Sequence, residues 1–141
     1  MGNTLPRYFI TRFALVMILV ELLSCSDKKI SKRTIIQDGT YMGQFVRSSP
    51  LARYAAANVT LKIAGDRFSG KSDKPNYPAI CEGTFKVSRN SIEFLDECSW
   101  TANFDWTYIL KGTFDLNFND GKLEMTRTIG DNTDHYSLKA Q

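Results

Sequence analysis

The chain has 141 residues, 43% of them hydrophobic and 12% aromatic, with a formal net charge of +3. That length accommodates one domain with a real core and no second one. The charge is small and the basic residues are interspersed with acids, which excludes the basic stripe of a nucleic-acid-binding surface.

At the N-terminus, Arg7 and Arg12 precede an unbroken apolar run, Phe13 to Val20, which Leu22-Leu23 extend past Glu21. A basic segment followed by a short apolar one is the pattern of a secretory signal peptide. A membrane-spanning helix needs ~20 apolar residues, and this run is shorter and interrupted by Glu21. The next residues, Leu22-Leu23-Ser24-Cys25, resemble a bacterial lipobox. The resemblance implies cleavage before Cys25 and a lipid on its sulfur, which would anchor a monomeric protein to a membrane of the cell envelope, on its periplasmic or exterior side. The other reading is an ordinary signal peptide followed by an incidental cysteine. Ser26 to Asp38, SDKKISKRTIIQD, is polar without a clear period and reads as a tether. Its Lys28, Lys29, Lys32 and Arg33 either rest on anionic head groups or are simply solvated. The organisation is then a signal peptide over 1–24, a tether over 25–38 and one domain over 39–141.

From Gly39 onward the sequence alternates with period two between closely spaced turn signals, which is an all-β signature. The alternation predicts eight strands, at roughly 39–47, 57–64, 67–72, 80–88, 91–98, 106–118, 122–129 and 134–139. In the sixth, Trp106, Tyr108, Leu110, Gly112, Phe114, Leu116 and Phe118 share one face, and Gly112 lets a long strand bend. Asp120-Gly121 is a favoured two-residue hairpin turn that sets Phe118 opposite Leu123, Leu116 opposite Met125 and Phe114 opposite Arg127. Gly65-Asp66 pairs Ile63 with Phe68. Arg89-Asn90, with Asn90 supplying the left-handed conformation, pairs Phe85 with Phe94 and brings Cys81 opposite Cys98. That is a non-hydrogen-bonded pair with backbones ~4.5 Å apart, and in an exported protein it reads as a disulfide. Every connection is short enough to join neighbours, so the simplest solution is an antiparallel up-and-down meander closed into a barrel.

The lipobox, the DGTYMGQF segment at 38–45 and the eight meandering strands resemble the lipocalin-like (calycin) lipoproteins of bacterial envelopes. The resemblance implies a binding or structural barrel rather than a reaction. Such barrels commonly carry Gly-x-Trp on the first strand, with a late-strand arginine packed over the tryptophan. Here Tyr41 stands in place of the tryptophan, and Arg127 is the candidate arginine.

A meander puts the tight turns 65–66, 89–90 and 120–121 at one end. The longer connections, about 48–56, 73–79, 99–105 and 130–133, fall at the other, with PLARYAAA (50–57) as a short helical turn over the opening. Aromatics collect at that second end, so Tyr54, Tyr77, Trp100, Phe104, Trp106 and Tyr108, with Arg127 deeper inside, are the candidate ligand-binding residues of a barrel mouth. Alternatively these aromatics plug the barrel, and Arg127 pairs with Asp96 or stacks on Phe114. No catalytic constellation, cofactor or metal site is expected: His135 is the only histidine, and Asp96-Glu97 point to opposite strand faces. Two functions remain open. One is a barrel that holds a small apolar or amphipathic ligand, and the other is a protein-interaction or inhibitor module that uses the aromatic rim.

Overall fold

The computed structural model describes residues 35–101 and 103–141, so the expected signal peptide, Cys25 and the tether up to residue 34 lie outside the described residues. The strands are β1 (Gly39–Ser48), β2 (Ala57–Ala64), β3 (Arg67–Ser72), β4 (Glu82–Ser88), β5 (Ser91–Asp96), β6 (Gly112–Asn119), β7 (Lys122–Ile129) and β8 (Asn132–Ala140). Each pairs antiparallel with the next and β8 closes on β1, giving an eight-stranded up-and-down barrel. Period-two patterning drives this. In β2, Ala57, Val59, Leu61 and Ile63 are buried, while Asn58, Lys62 and Ala64 face water.

The hairpin registers follow from the turns. Ile63 pairs with Phe68, Phe85 with Phe94, Leu116 with Met125 and Phe118 with Leu123. One slipped residue would send each apolar set to the solvent face. The register carries past the end of the β4–β5 ladder to a Cys81–Cys98 disulfide with Cα atoms 6.3 Å apart. This is wider than the ~4.5 Å of a pair within a ladder. The last ladder bond is Glu97 N–H to Glu82 O at 3.0 Å, and the chains diverge beyond it.

Five local expectations are corrected. Residues 106–111 are not strand: Trp106–Tyr108 form a single 3-10 turn, and β6 starts only at Gly112. Gly112 has φ +81, a left-handed conformation that breaks the alternation instead of bending it. The 130–133 connection is a tight turn, with Ile129 paired to Asn132 across Gly130-Asp131. The 50–57 segment is not helical; Arg53 bridges back to Ser48 and β2 begins at Ala57. At the β4–β5 turn the residue with positive φ is Arg89 (φ 34), not Asn90.

Aromatic rings fill the barrel. Ring contacts run from Tyr77 to Phe45 (5.2 Å), Tyr136 (4.8 Å), Phe114 (5.8 Å), Phe94 (5.8 Å) and Phe68 (5.0 Å), from the loop end towards the tight-turn end. Aliphatic residues of β2, β5 and β7, including Leu61, Ile92 and Leu123, complete the cluster.

A Cβ at Gly112 would meet nothing within 4 Å. Gly112→Ala should therefore destabilise through the backbone alone, by about 1–2 kcal/mol, measured by urea unfolding.

Candidate functional site

At the loop end, the inward parity of three adjacent strands ends in charge. Arg47 of β1 pairs across with Asp134 of β8, and Asp134 pairs across with Arg127 of β7. Arg47 is 2% exposed and Asp134 1%. Arg47 grips the carboxylate bidentately, with Nε to Oδ1 at 2.6 Å and Nη2 to Oδ2 at 2.8 Å. Arg127 Nη2 donates to Oδ2 at 2.9 Å. Bidentate, charge-assisted bonds of this kind fix orientation as well as supplying energy. One buried carboxylate thus serves two guanidiniums.

The guanidinium groups reach upward as well. Arg47 Nη1 donates to Thr107 Oγ1 at 2.8 Å and Nη2 to Thr107 O at 3.1 Å. Arg127 Nη2 also donates to Thr107 O, at 2.9 Å, and its Nη1 donates to Lys111 O. Tyr108 lies on Arg47, with its ring centroid 3.9 Å from Cζ. The turn itself starts at Asp105, whose carboxylate accepts the Thr107 N–H at 2.9 Å and stands 3.7 Å from Arg47 Nη1. Partial burial pushes this carboxyl up, but the Thr107 donors and Arg47 prevail and hold it below the usual carboxylate range. Buried Ile109 and Leu110 dock beside Ala79, whose N–H and C=O bond Tyr108 O (3.1 Å) and Leu110 N–H (2.9 Å). Residues 105–111 therefore form a cap across the barrel end.

The candidate residues separate into groups. Tyr77 touches Tyr54 (6.4 Å between ring centroids), Tyr108 (4.9 Å) and Phe45 (5.2 Å), which brings three candidate tyrosines together over the ion row. Trp100 and Phe104 pair with each other at 5.6 Å, and the Trp100 indole N–H donates to Asp96 at 2.5 Å. Asp96 is therefore not the partner of Arg127, which takes Asp134 instead and stacks on Phe114 with Cζ 4.5 Å from the ring centroid. Nor does Arg127 cover Tyr41. Tyr41 lies near the tight-turn end against Phe118, and its hydroxyl donates to Gln37 O at 2.7 Å. Trp106 does not line the interior. It is 48% exposed, with Lys111 Nζ 5.7 Å from its ring centroid.

Sequence reasoning missed Arg47 and Asp134. The available signal was parity: Arg47 continues the inward series Tyr41, Gly43, Phe45, and Asp134 opens the inward series Tyr136, Leu138. Three buried polar atoms beside the row make no hydrogen bond of normal geometry: Tyr77 Oη, Tyr136 Oη and Arg127 Nε. Tyr77 Oη keeps a looser hydrogen bond to the backbone of Arg47. Burial drives the Tyr136 phenol far above its ordinary value, and Asp134 adds to the rise. Among the described residues no group of three His, Cys, Asp or Glu side chains is arranged to hold a metal. A surface depression of about 390 Å³ lies on the outer wall, lined by residues that include Lys62, Lys71, Ile80 and Glu82. Compared with known proteins, the chain matches no family model, no curated protein and no solved structure.

Asp134→Asn should leave the buried Arg127 guanidinium without its carboxylate and Arg47 with only the half-exposed Asp105, and cost about 3–5 kcal/mol, read by urea unfolding. The phenols of Tyr41, Tyr77, Tyr108 and Tyr136 are all raised, chiefly by burial. The folded chain thus keeps phenolic protons that the unfolded chain loses above about pH 10. This contribution to stability is fully present below that pH and is lost as pH rises further. Unfolding free energies measured at pH 8 and pH 11 should show the fall.

Proposed function

We propose that the chain is a non-enzymatic, lipocalin-like lipoprotein of the bacterial envelope, anchored through Cys25, whose working surface is the loop end of the barrel and whose target is another envelope protein. The observation that carries the reading is Trp106. Its indole is 48% exposed, while both flanking residues are tied to Arg47, Asp105 by an ion pair and Thr107 by hydrogen bonds. A large aromatic held on a pinned backbone is suited to anchor a protein contact, because little order remains to be lost on binding. Leu51 (87% exposed) and Ile129 (36%) are further apolar side chains at the same end.

A second reading, a small apolar or amphipathic ligand in the barrel mouth, draws on the Tyr77 and Tyr136 hydroxyls, which make no hydrogen bond of normal geometry. It requires the 105–111 cap to lift, because aromatic rings occupy the axis beneath it.

Two experiments test the proposal. In a bacterial host, Cys25→Ser should abolish incorporation of labelled palmitate; labelling that persists would remove the anchor. A photo-crosslinking residue at Trp106 or Leu51 should capture a defined envelope protein, and one at Lys86 on the barrel wall should not. Equal capture at both places, or none at the rim, would defeat the interaction reading.

A further inference from the structure

The outward side chains of the barrel divide by charge around its wall. On β8, β1, β2 and β3 the outward charged residues are Lys139, Lys62, Lys71 and Arg67, and none is a carboxylate. On β4, β5 and β6 they are Glu82, Glu93 and Asp115 against Lys86, with Glu97 just past the end of β5. Arg67 is neutralised by Glu97 at 2.9 Å. Lys62, Lys71 and Lys139 are exposed and make no ion pair among the described residues.

The strand registers put these charges in line. Lys122 of β7 lies across from Lys139, Lys139 from Met42, Met42 from Thr60 and Thr60 from Lys71. Lys122 is paired with Glu124 of its own strand. The unpaired Lys139 and Lys71 are three strands apart, about 14 Å at ~4.8 Å per strand. Lys62 stands beside the row, two residues from Thr60 on the same face. In the middle is Met42, an apolar side chain left 47% exposed. Between Lys62 and Lys71 the wall is hollowed by the depression of about 390 Å³, lined also by Thr60, Ser69 and Ile80, with Glu82 at its β4 margin.

We propose that the β8–β1–β2–β3 wall rests on an anionic lipid bilayer, with Lys62, Lys71 and Lys139 among its head groups and Met42 between them. The inference rests on the Cys25 anchor proposed above, which keeps a bilayer beside the chain. The free cations are lysines, compact charges without the rigid fork by which arginine selects one carboxylate or phosphate. One sign of charge spread along a line, with no unpaired arginine and no aromatic anchor, fits a diffuse anionic field rather than the shaped surface of a protein. The chain reaches the barrel through β1, within this wall, and residues 26–34 before it add Lys28, Lys29, Lys32 and Arg33 against Asp27. Three lysines attract an anionic leaflet only modestly, so they orient a chain that a lipid already holds. Lying on this wall, the barrel has its axis along the membrane. The Trp106 end then faces sideways, towards other proteins of the same bilayer.

A lysine footprint tests this. The full protein, purified in detergent from bacterial membranes, would be reconstituted on vesicles of phosphatidylcholine alone or mixed equally with phosphatidylglycerol. An amine-reactive ester would then be added and each lysine read by mass spectrometry. The expected result is several-fold slower modification of Lys62, Lys71 and Lys139 on the mixed vesicles, lost at high salt, with Lys86 on β4 unchanged. Equal modification on both vesicles, or an equal fall at Lys86, would overturn the proposal. Protection of the three lysines in cells but not on mixed vesicles would also overturn it, and would assign the wall to an acidic protein. Lys62→Glu combined with Lys71→Glu changes two exposed side chains without ion pairs and should remove the protection of Lys139; protection that persists counts against the wall. The palmitate label at Cys25 reads the anchor separately. A labelled chain with an unchanged footprint defeats the wall alone, and an unlabelled chain with the slowed footprint defeats the anchor alone.

Discussion

The Asp134 carboxylate organises the loop end. It is the common acceptor of guanidiniums from the strands on either side, and those guanidiniums hold the carbonyls that fold 105–111 over the barrel. Ion pairs this deep incur a large desolvation cost and add little net stability compared with apolar packing. Their effect here is on geometry. The row spans β1, β8 and β7, where the last strand closes on the first. A slip of one residue at that seam would take Arg47 out of register with Asp134 and turn it to the other face.

The two ends of the barrel are closed by different physics. At the tight-turn end, closure is local. Asp120 and Gly121 adopt φ 48 and 73, Gly65 adopts φ 62, and each turn returns the chain within two residues. At the loop end, closure is distant in sequence: Arg47 reaches residue 134, 87 positions away, and residue 107, 60 positions away. Local closure needs only the right turn residues. Distant closure needs a correctly paired barrel first, so the cap at 105–111 depends on the strands that it covers.

This difference also explains what the sequence revealed. Hairpins and their registers were readable because turn chemistry and alternation are short-range, and the Cys81–Cys98 pairing is the same register extended by a few residues. The cap was misread because Trp106, Tyr108 and Leu110 alternate as a strand does. Only the cap made by Asp105 and the left-handed Gly112 distinguish the segment, and neither is visible in hydrophobic periodicity. Arg47 and Asp134 were passed over because a charged residue near a strand end ordinarily marks the boundary to solvent. Their inward parity becomes informative only when the two are known to lie opposite each other, and that pairing joins the first strand to the last. Arg127 was placed inside and its stacking on Phe114 was foreseen, but Asp96 was offered as its ionic partner because 130–133 was read as a long connection; the tight turn at Gly130-Asp131 sets Asp134 directly across from it.

A barrel whose axis is occupied by Phe45, Tyr136, Phe114 and Phe94 has used its interior for stability. Recognition of anything larger than a few atoms then falls to the outside. On the outside, most side chains sit on strands whose register fixes them in a pleated wall of alternating polar residues. The 105–111 segment is free of that constraint, yet it is held by the side chains of the buried row instead of by a ladder. Such a segment can present a residue that a strand would bury or pair. Trp106 is that residue: parity would have turned it inward in a continuous sixth strand, and the 3-10 turn turns it out. The cost of burying three charges is therefore tied to displaying one indole at a fixed position, and this links the least apolar part of the core to the most contact-ready part of the surface.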